Sequence, residues 1–320
     1  MRIVMKIGTS TLTHGTGKLN IRRVEELCQV MSDLKNAGHE IVLVSSGAIA
    51  MGVGKMNLTR KPTDIPSKQA LAAIGQCELM YIYDKLFSEY HHTVAQVLLT
   101  SSDVEDSHRR FNFQNTLFRL LEMGALPVIN ENDTVATAEI AVGDNDTLGA
   151  IVAVNVRADL LILMSDIDGL YTADPRKDPA ARLIPRVERL TPEILALAGD
   201  AGTELGTGGM VTKLRAAGMC MEAGCDMIIM NGSRPADLYR AAEGDEIGTR
   251  FIGKKEASLL SPPTTSCSRP VGPGPLSSGP PRRRRTPPCW PWRTPWSGTP
   301  PPSWRPTRKI WRPPGGTSAR

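Results

Sequence analysis

Leu160-Leu161-Ile162-Leu163-Met164 is an unbroken apolar run near the middle of the chain, and Ile41-Val42-Leu43-Val44 is a second one. Neither run alternates between polar and apolar residues, as a strand with one face in water would. Unbroken apolar strands are typical of a parallel sheet that is covered by helices on both faces. We therefore predict strands at about residues 2–7, 40–45, 93–99, 126–129, 159–164, 226–230 and 248–252.

Segments with helical periodicity fill the gaps between these strands. They predict helices at about residues 20–37, 66–90, 112–124, 145–156, 192–199, 211–224 and 235–243, and Gly38 and Gly224 are well placed as helix stops. This alternation predicts an α/β fold, a three-layer α/β/α sandwich with a mostly parallel central sheet and right-handed crossovers.

Four polar clusters lie at or just beyond the ends of predicted strands: Lys6, Ser45-Ser46-Gly47, Asn130-Glu131-Asn132-Asp133 and Ser165-Asp166. In open α/β sheets, ligands bind beyond the carboxyl ends of the strands, which meet at one edge. We therefore expect the four clusters to contribute to one site.

Two lysines stand beside glycine turns. Lys213 ends the stretch Thr207-Gly208-Gly209-Met210-Val211-Thr212-Lys213, which opens a predicted helix, and Lys6 lies just before Gly8. Glycine allows the backbone to approach a phosphate, helix N-termini attract anions, and lysine adds a mobile positive charge. Glycine-rich helix starts are also ordinary caps. Two such lysines in an alternating chain nevertheless indicate phosphoryl transfer.

Two polar loops, residues 130–135 and 142–149, fall at the same predicted edge. Loops are commonly polar, and Asp146 or Thr147 could simply cap the helix that runs to Val156. Together, however, the loops offer carboxylate and amide groups that could hold the ammonium group of an amino acid.

Other ligand signatures do not fit. Residues 248–255 have the glycine and lysine spacing of a P-loop, but Lys255 stands where Ser or Thr would bind the metal. No G-x-G-x-x-G motif follows the first strand, so a dinucleotide fold is unsupported. His91-His92 has no nearby ligand partners, and we expect no metal site formed by the protein.

The end of the chain differs in composition from the rest. Residues 261–320 hold 17 of the 25 prolines, all five tryptophans and 11 of the 38 basic side chains, but no Asp or Glu. The first 260 residues therefore carry 27 basic against 33 acidic side chains, so the overall net charge of +5 averages two unlike pieces. We predict a folded domain at 1–258 and a disordered tail at 259–320. One hypothesis is that a shifted reading frame produced this tail.

The six cysteines show neither metal-ligand nor disulfide spacing, which is typical of a reduced compartment. No signal peptide precedes the first strand, and no apolar stretch is long enough to span a bilayer. We expect a cytoplasmic protein without a membrane partner. The acidic balance of the main domain also argues against a nucleic-acid partner.

Five segments, in unbroken order, closely resemble those of glutamate 5-kinases, which belong to the amino acid kinase family. The resemblance covers about residues 1–260. The Tyr-Thr-Ala-Asp-Pro segment recurs across the wider family, whereas Asn-Glu-Asn-Asp and Gly-Asp-Asn-Asp are far more specific. The five segments are residues 45–50, 130–133, 143–146, 169–175 and 206–210.

The resemblance implies transfer of a phosphoryl group from magnesium-bound ATP to L-glutamate, the first step of proline synthesis. It implies that Lys6 and Lys213 neutralise the transferring group and that Asp146 holds both lysines. It implies glutamate binding by Ser46, Asp133 and Asn145, with Asn130 as a neighbour. It implies nucleotide binding by Lys6, Ser165, Asp166, Thr207, Gly208, Gly209, Met210, Val211, Thr212 and Lys213. Inhibition by proline and a homo-oligomer, dimer or tetramer, are also implied.

Two alternatives remain open from the sequence. One is another member of the family that acts on a different small acid or nucleotide, because the ATP-binding edge would look alike. The other is a nucleic-acid-binding regulatory protein that acts through the Arg- and Trp-rich tail. Many glutamate 5-kinases continue into an RNA-modification-type (PUA) domain, which residues 259–320 do not resemble.

Overall fold

The computed structural model describes residues 1–14, 18–135, 145–198 and 208–254. The predicted tail at 259–320 lies outside these residues, as do Thr207 and the first two residues of the Gly-Asp-Asn-Asp segment.

The described residues form an eight-stranded sheet in the order β3-β4-β2-β1-β5-β7-β8-β6. All neighbouring strands run parallel except β7 and β8, which pair antiparallel. This confirms the predicted α/β fold with a mostly parallel sheet. The strands are β1 (Arg2–Ile7), β2 (Glu40–Ser45), β3 (Val94–Leu99), β4 (Leu126–Glu131), β5 (Leu160–Ser165), β6 (Arg186–Val187), β7 (Asp226–Asn231) and β8 (Thr249–Phe251).

Ten helices connect the strands in the described part of the chain. They are α1 (Thr9–Leu12), α2 (Ile21–Asn36), α3 (Ala48–Lys55), α4 (Ile65–Ser88), α5 (Ser101–Glu105), α6 (Ser107–Glu122), α7 (Asn145–Asn155), α8 (Pro192–Ala196), α9 (Gly208–Glu222) and α10 (Asp237–Glu243). Local signals explain several ends. Asn20, Asp64 and Asp106 accept hydrogen bonds from backbone N–H groups in the first turns of α2, α4 and α6.

The apolar strands are buried on both faces, as their unbroken runs predict. One core packs Val42, Leu161 and Leu163 against α6, α7 and α9, and the other packs Ile41, Leu43 and Ile162 against α2 and α4. Side chains of one strand alternate between the two cores because successive residues point to opposite faces. The strands therefore have no polar face.

Several short elements differ from the sequence predictions. The helices α1, α3 and α5 and the strand β6 were not predicted, and α6 begins at Ser107 instead of about residue 112. α3 contains two glycines, which are poor helix formers, so its sequence carries little local preference for a helix. Short helices of this kind depend on packing against a neighbour.

α3 and α4 pack unusually closely. A methyl group at Gly75 would overlap the Ala48 carbonyl oxygen, and one at Gly52 would overlap the Leu71 carbonyl oxygen. Gly47, just before α3, has φ 103°, a conformation that favours glycine. These glycines bring α4 against the start of α3, directly after Ser46.

None of the described helices is both long enough and apolar enough to cross a bilayer.

Candidate active site

The carboxyl ends of four adjacent parallel strands, β4, β2, β1 and β5, meet at one edge of the sheet. β2 ends at Ser45, β4 at Glu131 and β5 at Ser165, and Lys6 is the penultimate residue of β1. The four polar clusters of the sequence analysis therefore lie along one edge, as expected.

At the centre of this edge, two lysines share one carboxylate. The Nζ atom of Lys6 lies 2.5 Å from Oδ1 of Asp146, and the Nζ atom of Lys213 lies 2.8 Å from Oδ2. Lys6 comes from β1, Asp146 from the first turn of α7 and Lys213 from the second turn of α9. Asp146 lies 140 residues after Lys6 and 67 residues before Lys213 in the sequence. The three side chains therefore converge only in the folded chain.

The close approach of α7 to β1 explains how Asp146 reaches Lys6. At Gly149, a methyl group would lie 3.3 Å from Cβ of Lys6. Gly149 stands three residues after Asp146, on the same face of α7, so the narrow contact holds the carboxylate above β1. A larger residue at position 149 would push α7 away from the strand.

The three charged groups are almost completely buried. The side chain of Asp146 is 2% exposed, and those of Lys6 and Lys213 are 9% exposed. Burial alone would raise the pKa of Asp146, but the ammonium groups of Lys6 and then Lys213 lower it further than burial raises it. With Asp146 ionised, two positive charges face one negative charge. The cluster therefore has a net positive charge suited to an anion.

Glycines stand beside both amines. A methyl group at Gly8 would lie 3.8 Å from Nζ of Lys6, and one at Gly209 would lie 3.8 Å from Nζ of Lys213. The Nζ atom of Lys213 also donates to the Gly209 carbonyl oxygen at 3.2 Å. The absence of side chains at these glycines leaves room for an anion next to the lysines.

A cluster of amides adjoins the lysine pair. Nδ2 of Asn145 donates to Oγ of Ser46 at 2.6 Å and to Oδ1 of Asn130 at 3.3 Å. Nδ2 of Asn130 donates in turn to Oε1 of Gln76 at 3.0 Å. Because Asn145 directly precedes Asp146, the amide cluster and the lysine pair are joined through the first turn of α7.

Asp133 lies two residues beyond the end of β4, at the same edge. Its side chain is partly buried, and burial raises its pKa, although Lys61 opposes this shift. In the described part of the chain, no hydrogen bond joins its carboxylate to the amide cluster. The structure thus brings together Ser46, Asn130 and Asn145 and leaves Asp133 beside them.

On the other side of the lysine pair is a cavity of about 280 Å³. Its wall contains Ser165, Asp166, Gly209, Met210 and Lys213 from the predicted nucleotide set, together with apolar residues such as Leu170 and Leu197. Oγ of Ser165 donates to Oδ1 of Asp166 at 3.1 Å. The wall thus combines apolar residues with charged ones such as Asp174 and Lys177, a mixture that suits a ligand with an apolar part and a charged part.

Not every residue of the predicted nucleotide segment lines this cavity. α9 begins at Gly208, earlier than the predicted start at about residue 211, so most of the predicted nucleotide segment 207–213 is the start of a helix. Val211 is 41% exposed and lies outside the cavity wall. The hydroxyl of Thr212 donates to the Gly209 carbonyl oxygen at 3.0 Å and so caps the turn.

A larger cavity, of about 650 Å³, lies elsewhere, between the start of α2 and Arg234. None of the predicted site residues lines it, so its size does not make it the candidate site. The smaller cavity instead contains Lys213 and the end of β5 in its wall.

Comparisons with known proteins agree with this geometry. The family model described as "Amino acid kinase family" matches residues 1–231. The chain belongs to the amino acid kinase family. Its membership accounts for the sheet with the lysines at its carboxyl edge.

Relatives within the family are closely similar. The chain is 51% identical over 259 residues to the glutamate 5-kinase of Listeria monocytogenes, which covers 80% of this chain and 94% of the relative. It is 52% identical over 258 residues to that of Clostridium perfringens, covering 79% and 96%. It is 53% identical over 255 residues to that of Caldanaerobacter subterraneus, covering 80% and 68%.

Solved structures with low sequence identity share the fold. A carbamate kinase from Giardia lamblia bound to AMP-PNP has a TM-score of 0.57 at 18% identity, covering 79% of this chain and 98% of that chain. An isopentenyl phosphate kinase from T. acidophilum has a TM-score of 0.54 at 16% identity, covering 78% and 100%. These likenesses concern the fold alone.

Sequence reasoning assigned no binding role to two parts of the candidate site. The first is the segment from Gly169 to Lys177, most of which lines the cavity; its residues 169–175 stand out in the sequence only by their resemblance to the family. The second is Gln76, which stands among the buried residues of α4, between Ala72 and Leu79. A polar residue on the apolar face of a predicted helix was the signal that could have identified it.

Proposed function

We propose that this chain transfers the γ-phosphoryl group of ATP to the γ-carboxylate of L-glutamate, giving L-glutamyl 5-phosphate for proline synthesis. One observation carries the proposal: Lys6 and Lys213 meet at Asp146, with the amide cluster on one side and the cavity on the other. The identity of 51–53% to glutamate 5-kinases supports glutamate as the acceptor.

In this proposal, ATP lies in the cavity with its base against Leu170, Leu197 and Met210. Its terminal phosphates lie beside Gly8 and Gly209, where both lysine amines are within reach. The first turn of α9 adds N–H groups that favour negative charge. This helix start includes three further predicted contacts, Gly208, Val211 and Thr212, and the predicted contact Thr207 precedes it in the sequence.

Glutamate, in the same proposal, binds the amide cluster on the other side of the lysines. Asn145 and Ser46 contact its carboxylate groups, Asn130 orients Asn145, and the carboxylate of Asp133 holds its ammonium group. Because Asn145 directly precedes Asp146, a γ-carboxylate that is bound by Asn145 lies next to the lysine pair.

The chemistry needs charge and position rather than a base. The γ-carboxylate of glutamate is already ionised at neutral pH, so it can attack without losing a proton. One of its oxygens forms a bond to the γ-phosphorus while the bond from that phosphorus to the β-γ bridging oxygen breaks, and ADP leaves. Lys6 and Lys213 stabilise the negative charge on the transferring group from two sides, which is where preorganised charge is most effective.

Magnesium enters this scheme with the nucleotide. Among the described residues, no group of three or more His, Cys, Asp or Glu side chains could hold a metal ion. Both oxygens of Asp146 already contact lysines. Mg²⁺ is commonly held by substrate phosphates and water, and there it neutralises phosphate charge.

The proposed reaction is tested by trapping the acyl phosphate with hydroxylamine. We expect ATP-dependent hydroxamate formation with L-glutamate, and, with ADP release as the readout for all acceptors, at least tenfold lower kcat/KM with aspartate, acetylglutamate or uridylate. Preference for one of the other acceptors would instead indicate another activity of the family, which the relatives do not favour. Residues 1–260 should retain the activity, because the site lies within them.

Asp133→Asn is expected to weaken glutamate binding more than catalysis. The neutral amide cannot pair with the ammonium group of glutamate, so KM for glutamate should rise by about 10- to 100-fold, while KM for ATP changes little. Because burial raises the pKa of Asp133, the wild-type KM for glutamate should also rise as the pH falls toward that pKa and the carboxylate takes up a proton. Steady-state kinetics with each substrate varied measures both effects.

Asp84→Asn, an exposed substitution on α4, is the control. Equal rises of both KM values in Asp133→Asn would argue against the assigned role.

A homo-oligomer and inhibition by proline stay predictions. A nucleic-acid-binding function through the tail is not favoured.

A further inference from the structure

Gln76 is a buried polar residue that the proposed mechanism does not use. It is 8% exposed and lies on the face of α4 that packs into the core. Its Oε1 atom accepts a hydrogen bond from Asn130, but its Nε2 atom has no hydrogen-bond partner among the described residues. A buried donor without a partner costs free energy, so its retention calls for a reason.

The position of Gln76 is set by the close contact of α3 and α4. Gly75, the preceding residue, packs directly against the backbone at Ala48, two residues after Ser46. On the same face of α4, the hydroxyl of Tyr83 lies 2.9 Å from Oγ of Ser45. α4 is therefore held against the end of β2 from two points, and Gln76 is held against the amide cluster.

The hydrogen bonds of the cluster have a direction. Asn145 donates to Asn130, and Asn130 donates to Gln76. Asn130 uses its oxygen as acceptor and its nitrogen as donor, so the series ends at Gln76, whose Nε2 group has no acceptor among the described residues. At the other end, Ser46 accepts from Asn145, which leaves its own hydroxyl hydrogen available to donate. Each end of the cluster thus holds a donor, that of Gln76 being fully buried, and a carboxylate accepts hydrogen bonds from such donors.

The series also indicates which end of the substrate each group meets. Asn145 adjoins Asp146 and the lysines, where the reacting γ-carboxylate belongs. Gln76 is two hydrogen bonds farther from that centre. The substrate group that meets Gln76 is therefore the one farther from the transferring phosphoryl group.

We propose that Nε2 of Gln76 donates a hydrogen bond to the α-carboxylate of the acceptor amino acid, which makes Gln76 a substrate-binding and specificity-determining residue. This inference rests on the proposed function. It adds a contact from α4, an element to which sequence reasoning assigned no role in the site.

Gln76→Glu is the informative variant. The new carboxylate can still accept from Asn130, but it replaces the free N–H group with a negative charge facing the substrate carboxylate. We expect KM for L-glutamate to rise by about 10- to 100-fold, as for the loss of a hydrogen bond to a charged group, with KM for ATP within threefold of the wild-type value. Gln29→Glu, the same change at an exposed position on α2, should leave both values unchanged.

A second measurement separates substrate contact from a merely structural role. The α-amide of L-glutamate, isoglutamine, lacks the α-carboxylate charge, and its inhibition constant against glutamate can be measured whether or not it is phosphorylated. In Gln76→Glu, isoglutamine should lose less than threefold in affinity. Equal losses for glutamate and isoglutamine, or a change of less than threefold for glutamate, would overturn the proposal.

Gln76→Met serves if Gln76→Glu does not fold, as judged by thermal melting. It removes the donor at similar size, and the same contrast between glutamate and isoglutamine is expected. The wild-type assay distinguishes a failure of the proposed function from a failure of the proposed role of Gln76. A wild-type enzyme without glutamate-dependent hydroxamate formation refutes the proposed function itself, whereas an active wild type with unaffected Gln76 variants refutes only the role of Gln76.

Discussion

Lys213→Ala is expected to lower kcat by about 10²- to 10³-fold, the range found when one group that stabilises transition-state charge is removed. The amine of Lys213 is one of two cations at the proposed transfer centre, and it also lines the cavity. Its loss leaves the cluster of Lys6 and Asp146 without net charge. KM for glutamate should change far less than kcat, because the amide cluster is untouched.

The fold should persist in this variant, since Asp146 keeps its contact with Lys6. Lys85→Ala, at an exposed position on α4, is the matched control and should show wild-type kinetics. Lys213→Arg should not restore the rate fully, because the planar guanidinium cannot reproduce the compact ammonium group. Turnover within threefold of wild type in Lys213→Ala would remove this residue from the mechanism.

Asp146→Asn is expected to lower the free energy of unfolding by about 3–5 kcal/mol, the range for removing one partner of a buried ion pair. Two ammonium groups that are 9% exposed would then face each other without a counter-charge. A decrease in Tm of roughly 10 °C should accompany the loss. Chemical denaturation and calorimetry at pH 7 measure both quantities, and Asp84→Asn is again the control.

The same variant separates stability from nucleotide binding. Without Asp146 the two lysines carry an uncompensated charge of two, so a non-hydrolysable ATP analogue should bind at least as tightly as to the wild type. It should also raise the Tm of Asp146→Asn by more than that of the wild type. kcat should still fall, because the lysines lose the partner that positions them. Weakened binding of the analogue would contradict this account of the site.

The difference in the free energy of unfolding between wild type and Asp146→Asn should depend on pH in a definite direction. Because the lysines hold the pKa of Asp146 below its usual value in the folded state, the stabilisation is complete above the unfolded pKa of about 3.9 and is lost as the pH falls through the lower folded pKa. The gap in stability between wild type and Asp146→Asn should therefore be constant near neutral pH. It should narrow only below about pH 4.

The central sheet was predictable because its cause is local. Strands that are buried on both faces are apolar along their interior positions, and β2, β5 and β7 show this in their own residues. The short strand β6 was missed, because a two-residue strand carries no periodicity.

The candidate site was predictable in part for a similar reason. Residues at the carboxyl ends of parallel strands must share an edge, which placed Lys6, Ser46, Asn130 and Ser165 together before any coordinates were known. The resemblance to the amino acid kinase family added the separate roles of Asp146, Asn145 and Asp133. The resemblance also implied the contact of Asp146 with both lysines. Neither argument gave the hydrogen bonds of the amide cluster, because these depend on how closely α7 and α4 approach the sheet.

The amino-acid sequence by itself determined the α/β fold, the edge that carries the site and the presence of two lysines suited to a phosphate. The tertiary structure alone decided that the two lysines and Asp146 are almost completely buried, that α3 is a helix and that Gln76 reaches the amide cluster. The physical reason is the range of the interactions. Burial and periodicity act within one element, whereas a glycine such as Gly75 or Gly149 has its effect only when a second element packs against it.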